Sequence, residues 1–376
     1  MSSSDSQNPP ARLDTRLPQR PPQLGLERGG VEIAGPWFPL RIARVIPETP
    51  DARSLVLEVP EALRERFAYR AGQFLSFRIA VDGARLVRCY SLASSPDTET
   101  EHKVTVKRVE DGRVSNWIND ALREGDVLEV MRPAGLFCLR KSDAVIVLFS
   151  GGSGITPVIS IVKSALATTE RRVKLVYANR DRESIIFADE LASLAARHPD
   201  RFELVHRLDV EEGFVDGAAV ARYAGADVHA DHYICGPGPF METVESTLLD
   251  LGAAAERIFI ERFELDPAAP SEPGAIDLSV PGAASAERVV IRLDGREREM
   301  TAQPGRTLLQ LAREAGMEPP FACEEGYCGS CMAQLVRGTV HMKANDVLDE
   351  TDLAEGLILT CQSVPTAPVV EVEYPD

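Results

Sequence analysis

The chain has 376 residues, 44% hydrophobic and 26% charged, with 41 Lys and Arg against 58 Asp and Glu for a formal net charge of −17. That length asks for two or three domains, the composition is that of a globular protein, and the negative balance disfavours nucleic acid or an anionic membrane as a partner. No apolar run approaches the roughly 18 residues of a membrane span, and residues 1–7 lack an apolar signal core, so the cytoplasm is the expected compartment.

Residues 1–36 contain six prolines and no periodic apolar order, which predicts a disordered tail. From Trp37 to position 141 come short runs rich in β-branched and aromatic residues, at 54–59, 73–80, 103–109 and 127–131. Turn residues separate them, as in Val81-Asp82-Gly83 and Glu110-Asp111-Gly112. The pattern predicts an antiparallel barrel or sandwich over 37–141. Inside it lies Arg88-Cys89-Tyr90-Ser91-Leu92. Taken singly these are ordinary strand residues, and an aromatic in a strand is more often core than ligand contact. Together they also suit a flavin: a tyrosine face can stack on the ring, an arginine can pair with a phosphate, and a serine hydroxyl can reach a ring nitrogen.

After Ser142 strands and helices alternate. Strands are expected at 144–149, 172–177, 202–208 and 232–235, and helices from Pro157, over 187–197 and over 239–251. That alternation predicts a parallel α/β sheet over 142–265. The first strand runs into Ser150-Gly151-Gly152-Ser153-Gly154-Ile155-Thr156-Pro157. A glycine turn between strand and helix lets backbone approach a pyrophosphate, and the helix N-terminus supplies N–H groups. Pro157 fits the first helical turn. The spacing is not the Gly-x-Gly-x-x-Gly fingerprint, so taken alone the turn is as readily structural. Cys235-Gly236-Pro237 ends a strand at the sheet's carboxyl edge, where such sheets bind ligands. His198, His229 and His232 have no cysteine partner in sequence reach and read as surface or capping residues; Cys138 reads as a buried apolar residue.

Residues 266–286 are mostly Pro, Ala, Ser and Gly, a linker in which 276–280 alternates and could dock on a neighbour. The last domain, 287–376, has expected strands at 288–293, 297–301, 332–336 and 368–374 and a helix at 307–315. Between helix and third strand stand Cys323, Cys328 and Cys331, with Cys361 thirty positions on. Cys-x4-Cys-x2-Cys with a distant fourth cysteine is the plant-type spacing for a [2Fe–2S] cluster. The intervening Gly326, Gly329 and Ser330 allow a loop that turns N–H groups toward sulfur. Zinc is the alternative, but it favours two close Cys or Cys/His pairs, and only Cys328 and Cys331 form one. Disulfides do not suit the expected compartment.

The motifs combine into one resemblance. Arg-x-Tyr-Ser in a β-domain followed by Gly-Gly-x-Gly-Ile-Thr-Pro resembles the ferredoxin–NADP⁺ reductase superfamily. With the C-terminal plant-type module, the chain resembles the fused reductase components of bacterial oxygenases over residues 38–376. The wording around Arg88–Pro96, Gly112-Arg-Val-Ser-Asn-Trp117 and Tyr177-Ala-Asn-Arg180 is most similar to reductases of the 3-ketosteroid 9α-hydroxylase type, with phenylacetyl-CoA epoxidase reductases nearby. The implied fold is a flavin-binding antiparallel β-barrel, a nucleotide-binding parallel α/β domain and a β-grasp ferredoxin domain. The resemblance implies a site as well. Arg88 would hold the flavin phosphate, Tyr90 would stack on the ring and Ser91 would sit near N5, with Cys89 between them. Val106 and Lys107 would line the flavin tail, and the N–H groups of Val114, Ser115 and Asn116 would meet the pyrophosphate. Gly151, Gly152, Ser153, Gly154, Ile155 and Thr156 would hold the nicotinamide nucleotide, Thr156 nearest the nicotinamide. Cys235, Gly236 and Pro237 would flank the hydride path, Asn179 and Arg180 the ribose, and Phe263 the flavin; Phe263 could equally be a plain core aromatic. Cys323, Cys328, Cys331 and Cys361 would hold the cluster.

FAD is implied over FMN by the Ser115-Asn116 turn. An acidic residue after the second parallel strand would favour NADH; here Arg180, Asp181, Arg182 and Ser184 mix the signals, so the resemblance implies NADH while the arginines leave NADPH open. The electron count gives the order: nicotinamide gives two electrons as hydride, the cluster takes one, and a flavin can stand between them. A 21-residue flexible linker spans about 25 Å, enough for the ferredoxin domain to face the flavin and then a partner. From Arg288 onward there are 8 Lys and Arg against 15 Asp and Glu, net −7. This acidity suits a terminal oxygenase component with a basic docking patch, or else merely solvates the surface. The electron acceptor could also be an epoxidase, a fatty-acid desaturase or a hybrid-cluster protein. A third class, a zinc-bearing nucleotide sensor, would lack flavin and iron–sulfur absorption.

Overall fold

The structure is a computed structural model that describes residues 37–81, 83–262, 286–293, 295–321, 324, 326, 328–345, 347–348 and 350–374. Phe263, Cys323, the tail and all but the last residue of the linker expected at 266–286 lie outside the described residues.

The first unit holds β1 (Phe38–Thr49), β2 (Ala52–Glu58), β3 (Phe74–Val81), β4 (Ala84–Ser91), β5 (His102–Lys107), α1 (Arg113–Asp120) and β6 (Val127–Val130). The sheet order is β4-β3-β6-β1-β2-β5, every pair antiparallel. A bridge from Leu92 to Val104 links the end of β4 to β5, so the two outer strands meet and the sheet closes. Its interior is apolar, with Phe38, Leu55, Phe77 and Val104 all at or near zero exposure. Each such side chain contributes about 1.5–3 kcal/mol of burial. Helix α1 plugs one end, placing Trp117 and Ile118 in that core.

The second unit holds β7 (Ile146–Gly151), α2 (Ile155–Thr168), β8 (Val173–Asn179), α3 (Ala188–Arg197), β9 (Phe202–Leu208), α4 (Asp209–Glu212), α5 (Gly217–Ala224), β10 (Asp231–Cys235), α6 (Gly238–Asp250) and β11 (Ile258–Glu261). Its sheet runs β11-β10-β7-β8-β9, all parallel. Helix α2 is buried from Ile155 to Leu166 without a break. Its apolar residues pack on the sheet, while Ser160 and Ser164 face the barrel and bond to Ser94 O and Ser95 Oγ at 2.6 and 2.7 Å. Small polar residues thus let one helix be shared by two units. Lys163 on the same helix is nearly buried and pairs with Glu99 and Glu190 at 2.6 and 2.9 Å.

His232 departs from the surface reading. It lies inside β10 and is fully buried, with Nε2 3.3 Å from Val228 O. One histidine in an apolar strand offers no periodicity that marks its neutral, core-facing state. His198 caps the end of α3, as its place before Pro199 suggests.

The third unit holds β12 (Arg288–Leu293), β13 (Arg296–Met300), α7 (Leu308–Glu314), β14 (Met332–Arg337), β15 (Val340–Met342), α8 (Glu350–Ala354), β16 (Leu357–Leu359), β17 (Ser363–Pro365) and β18 (Val369–Glu373). Its main sheet runs β13-β12-β18-β14-β16, with β12 and β18 parallel and the other pairs antiparallel. Thr307 and Gln310 form a reciprocal capping box that starts α7. Helix α7 lies over the mixed sheet, a β-grasp arrangement, burying Leu308 and Leu311.

Candidate active site

Strand β4 carries the flavin-type motif to the seam with α2. Tyr90 stands opposite Leu75, its ring 5.7 Å from Phe77, and burial pushes its hydroxyl pKa up. Ser91, at the strand's end, is 2% exposed and its hydroxyl has no hydrogen-bond partner. An orphaned buried hydroxyl costs about 1–3 kcal/mol unless something satisfies it, and a flavin ring nitrogen is such a partner. Arg88 is exposed, its Nη1 donating to Val87 O. Cys89 turns the other way, its Sγ 3.4 Å from Ser76 Oγ and 3.9 Å from Ser330 Oγ in the third unit. Its thiol therefore does not share a face with Tyr90, because side chains alternate along a strand.

The glycine turn sits across the seam. Gly152 has φ +53°, a conformation glycine adopts without steric cost. Its carbonyl accepts from the Tyr177 hydroxyl at 2.9 Å. Lys107 reaches the turn from β5: a Cβ built on Gly152 would stand 3.8 Å from its Nζ, which also lies 3.7 Å from Asp51. A lysine beside a glycine turn suits phosphate oxygens. Gly154 serves a different purpose. A Cβ there would lie 2.1 Å from the Cys235 carbonyl oxygen, so its bareness lets the turn pack on Cys235-Gly236-Pro237. Thr156 Oγ1 donates to Ser153 O at 3.1 Å and begins α2. Ile155 is core. Ser150 Oγ, like Ser91 Oγ, is buried without a partner, the second open polar group in this cleft.

Cys235 pairs in register with Ser150 and Glu261 and is fully buried. Burial first, and then Glu261, push its thiol well above the usual range. It is a neutral packing and shaping group, not a nucleophile. Two other expectations change. Asn116 does not present a free N–H, because that group donates to Gly112 O at 3.1 Å in the first turn of α1. Val106 does not line an open tail site: its side chain is in the barrel core and its carbonyl accepts from Asn119 Nδ2. Val114 and Ser115 stand within the first helical turn, where N–H groups lack intrahelical acceptors. Ser115 Oγ itself accepts from Val109 N–H at 3.2 Å.

Asn179 ends β8 in a buried position, its amide without a hydrogen-bond partner. Beyond it, Arg180 Nε donates to Asp181 at 2.8 Å, Arg182 meets Glu211 at 3.3 Å, and Arg207 pairs with Glu212. The Arg180 contact holds the Asp181 carboxyl below the usual range.

In the third unit Cys328, Cys331 and Cys361 are buried. Each sulfur meets an N–H: Ser330 N to Cys328 Sγ at 3.4 Å, Cys361 N to Cys331 Sγ at 3.5 Å, and Gln362 Nε2 to Cys361 Sγ at 3.6 Å. Gly326 and Gly329 take φ of +87° and +70° to turn the loop. The Cys361 contact and burial raise the Cys331 thiol well above its ordinary pKa. Buried sulfurs that receive N–H groups on a glycine-turned loop suit bound iron, whose thiolate ligands are held by such donors. The residues present fit the cluster, as the orphaned serines and the glycine turn fit flavin and nucleotide.

Sequence reasoning missed how the third unit seats on the barrel. Ser76 donates to Cys328 O at 2.6 Å, and Arg132 bonds Val347 O and Asp352 at 3.1 Å each. One signal was available: Ser76 is the only hydroxyl residue in Phe-Leu-Ser-Phe-Arg-Ile-Ala-Val, the run that forms β3. Nothing local says what it faces.

Comparison with known proteins agrees with this layout. The sequence matches the families described as oxidoreductase FAD-binding domain over 39–138, oxidoreductase NAD-binding domain over 148–246, and 2Fe-2S iron-sulfur cluster binding domain over 291–366. It is 43% identical to the 3-ketosteroid-9-alpha-monooxygenase ferredoxin reductase component of Rhodococcus rhodochrous, covering 89% of this chain and 96% of the relative. It is 33% identical to one of the subunits of 1,2-phenylacetyl-CoA epoxidase from Escherichia coli K12, over 89% and 97%. The solved structure of phthalate dioxygenase reductase superposes with a TM-score of 0.55 at 26% identity, covering 90% of this chain and 98% of that one.

Proposed function

The chain belongs to the family of ferredoxin reductase components of bacterial monooxygenases, and from that premise we propose that it passes electrons from NADH to an oxygenase component of the 3-ketosteroid 9α-hydroxylase type. It is a flavin- and iron–sulfur-dependent oxidoreductase with FAD-binding, NAD-binding and [2Fe–2S]-binding domains. One observation carries the electron order: the cysteine loop is seated against the same barrel strand that bears Arg88, Tyr90 and Ser91. No described helix is long and apolar enough to cross a membrane, and cytoplasmic work beside a soluble oxygenase is part of the proposal.

When bound, FAD and the cluster supply hydride acceptance and one-electron transfer. The chain's own groups do the rest. Lys107, exposed Arg88 and the first-turn N–H groups of Val114 and Ser115 neutralise and orient phosphates. Tyr90 offers a partly exposed aromatic face, and Ser91 a hydroxyl that can hydrogen-bond a ring nitrogen. The turn of Gly151 to Thr156, held against Cys235-Gly236-Pro237, sets where the nicotinamide can lie, with Asn179 toward its ribose. Cys235 stays protonated and excludes water. Cys323, Cys328, Cys331 and Cys361 would ligate iron.

NADH is favoured over NADPH because Arg180, Arg182 and Arg207 already face carboxylates, leaving weak attraction for a 2′-phosphate. The acidic third unit suits a basic docking patch on the oxygenase. The test is reconstitution. Purified protein should show flavin and [2Fe–2S] absorption, both bleached by NADH under anaerobiosis. Added to a 3-ketosteroid 9α-hydroxylase oxygenase component, it should couple NADH oxidation to steroid hydroxylation. Bleaching without coupling would leave a reductase for another acceptor, the epoxidase type first; absence of the bands would remove the redox reading altogether.

A further inference from the structure

The seat of the cysteine loop on the barrel combines an apolar contact with a few polar ones. Met131 and Phe74 of the barrel share a buried cluster with Cys328, Cys331, Met332 and Leu348. The loop's closest approach is at Gly329, where a Cβ would stand 2.5 Å from Met131 Cε. On either side of that glycine, two contacts join the units. Ser76, 1% exposed, donates its hydroxyl to the Cys328 carbonyl at 2.6 Å. Cys89, facing Ser76 across the β3–β4 ladder, places Sγ 3.4 Å from Ser76 Oγ and 3.9 Å from Ser330 Oγ. Cys89 also lies between Arg88 and Tyr90 in sequence, so the backbone of a single residue separates the flavin-type side chains from the cysteine loop. At the rim, Arg132 holds Val347 O and Asp352.

We propose that Ser76 is a positioning residue for electron exit: its hydroxyl docks the Cys328–Ser330 segment on strands β3 and β4, with Cys89 packed between them. The inference rests on the reductase reading above. Oxidation of NADH to NAD⁺ releases two electrons and one proton. The electrons cross this contact singly, each crossing oxidising the flavin side by one and reducing the cluster by one, while the proton is left to solvent. Transfer falls steeply with separation, so a hydroxyl that fixes the separation controls the crossing without touching either redox group. Cys328 and Cys331 are 2% exposed with the third unit seated. The seat is held by the Ser76 hydrogen bond, the Arg132 contacts with Val347 O and Asp352, and an apolar patch.

The test uses full-length holoprotein and the variant Ser76→Ala. Cys89 is part-buried with the unit seated, so the change in its iodoacetamide labelling rate relative to the parent, read by peptide mass spectrometry, reports loosening of the seat; Cys138 and Cys235 are buried internal controls. Loss of one buried hydrogen bond should raise the Cys89 labelling rate about two- to tenfold. Cluster reduction in anaerobic stopped flow should slow by a similar factor. Ferricyanide reduction and the cluster's midpoint potential should stay at parent values, and Ser76→Thr, which keeps the hydroxyl, should restore labelling and rate. If Ser76→Ala does not accumulate, Arg132→Ala loosens the same seat and carries the same labelling expectation. Parent-like labelling with parent-like cluster reduction overturns the inference, as does a slowed rate explained by a shifted potential. Absence of flavin and iron–sulfur bands in the parent protein would instead overturn the reductase reading.

Discussion

Replacing Gly154 by alanine separates the packing of the nucleotide turn from its backbone conformation. Gly154 has φ −60° at the N-cap of α2, so alanine meets no backbone strain there. The obstacle is space. The new Cβ would stand 2.1 Å from the Cys235 oxygen and 2.4 Å from its carbon, where ordinary contact begins at 3.4 Å. The turn and the Cys235-Gly236-Pro237 loop must therefore part by about 1.3 Å. Overpacking of this kind costs about 1–3 kcal/mol of stability, and the opposing atoms are backbone. The functional loss is larger, since a misplacement of about 1 Å can cost about a hundredfold in rate. Anaerobic stopped flow of NADH against the flavin band measures it directly. We expect flavin content and cluster spectrum to match the parent while hydride transfer falls about 10- to 100-fold. Gly152→Ala is the contrast: its Cβ meets nothing nearer than Lys107 Nζ at 3.8 Å, but φ +53° strains it by about 1–2 kcal/mol. Parent-like hydride transfer in Gly154→Ala would refute the close-packing argument.

Ser91→Ala should leave thermal stability unchanged or slightly raised, because its buried hydroxyl has no protein partner, while flavin reduction slows; lost stability with parent-like reduction would contradict it. Asp231 is buried between Arg171 and Arg257 at 2.5 and 2.8 Å. Removing its charge in Asp231→Asn should cost about 3–5 kcal/mol, read as a lowered Tm with the parent visible spectrum at low temperature. Asp181→Asn frees Arg180 and should shift the NADH-to-NADPH preference in kcat/KM toward NADPH by about threefold or more; an unmoved ratio would show that Arg180 does not face the ribose. Burial lowers the pKa of His102, His206 and His232 below 6.5 in the folded protein. The unfolded chain then binds more protons, so stability is full above about pH 6.5 and is lost as pH falls through the lowered folded values. Melting curves of parent and His232→Gln between neutral and mildly acidic pH check this, the variant showing the flatter dependence.

What the sequence alone determined is what neighbouring residues settle among themselves. Cysteine spacing, the glycine turn and the switch from period-two to helical patterning are all local. From them the antiparallel barrel, the parallel sheet and the C-terminal iron–sulfur fold were legible, with Thr307 and Pro157 marking helix starts. The tertiary structure decided what distant residues do to each other. Asn116 reads as a phosphate-facing N–H until the helix beginning at Arg113 gives that group an acceptor. Val106 looks like a ligand-lining strand residue until the sheet curls and turns it inward. Cys89 belongs to a flavin motif by position, yet its thiol faces Ser330, 241 residues away. Strand alternation assigns residues to two faces, but only closure of the barrel and seating of the third unit say what each face meets. A helix as apolar as α2 signals burial; that it is buried by two units at once depends on Ser160 and Ser164 finding Ser94 and Ser95 across the seam.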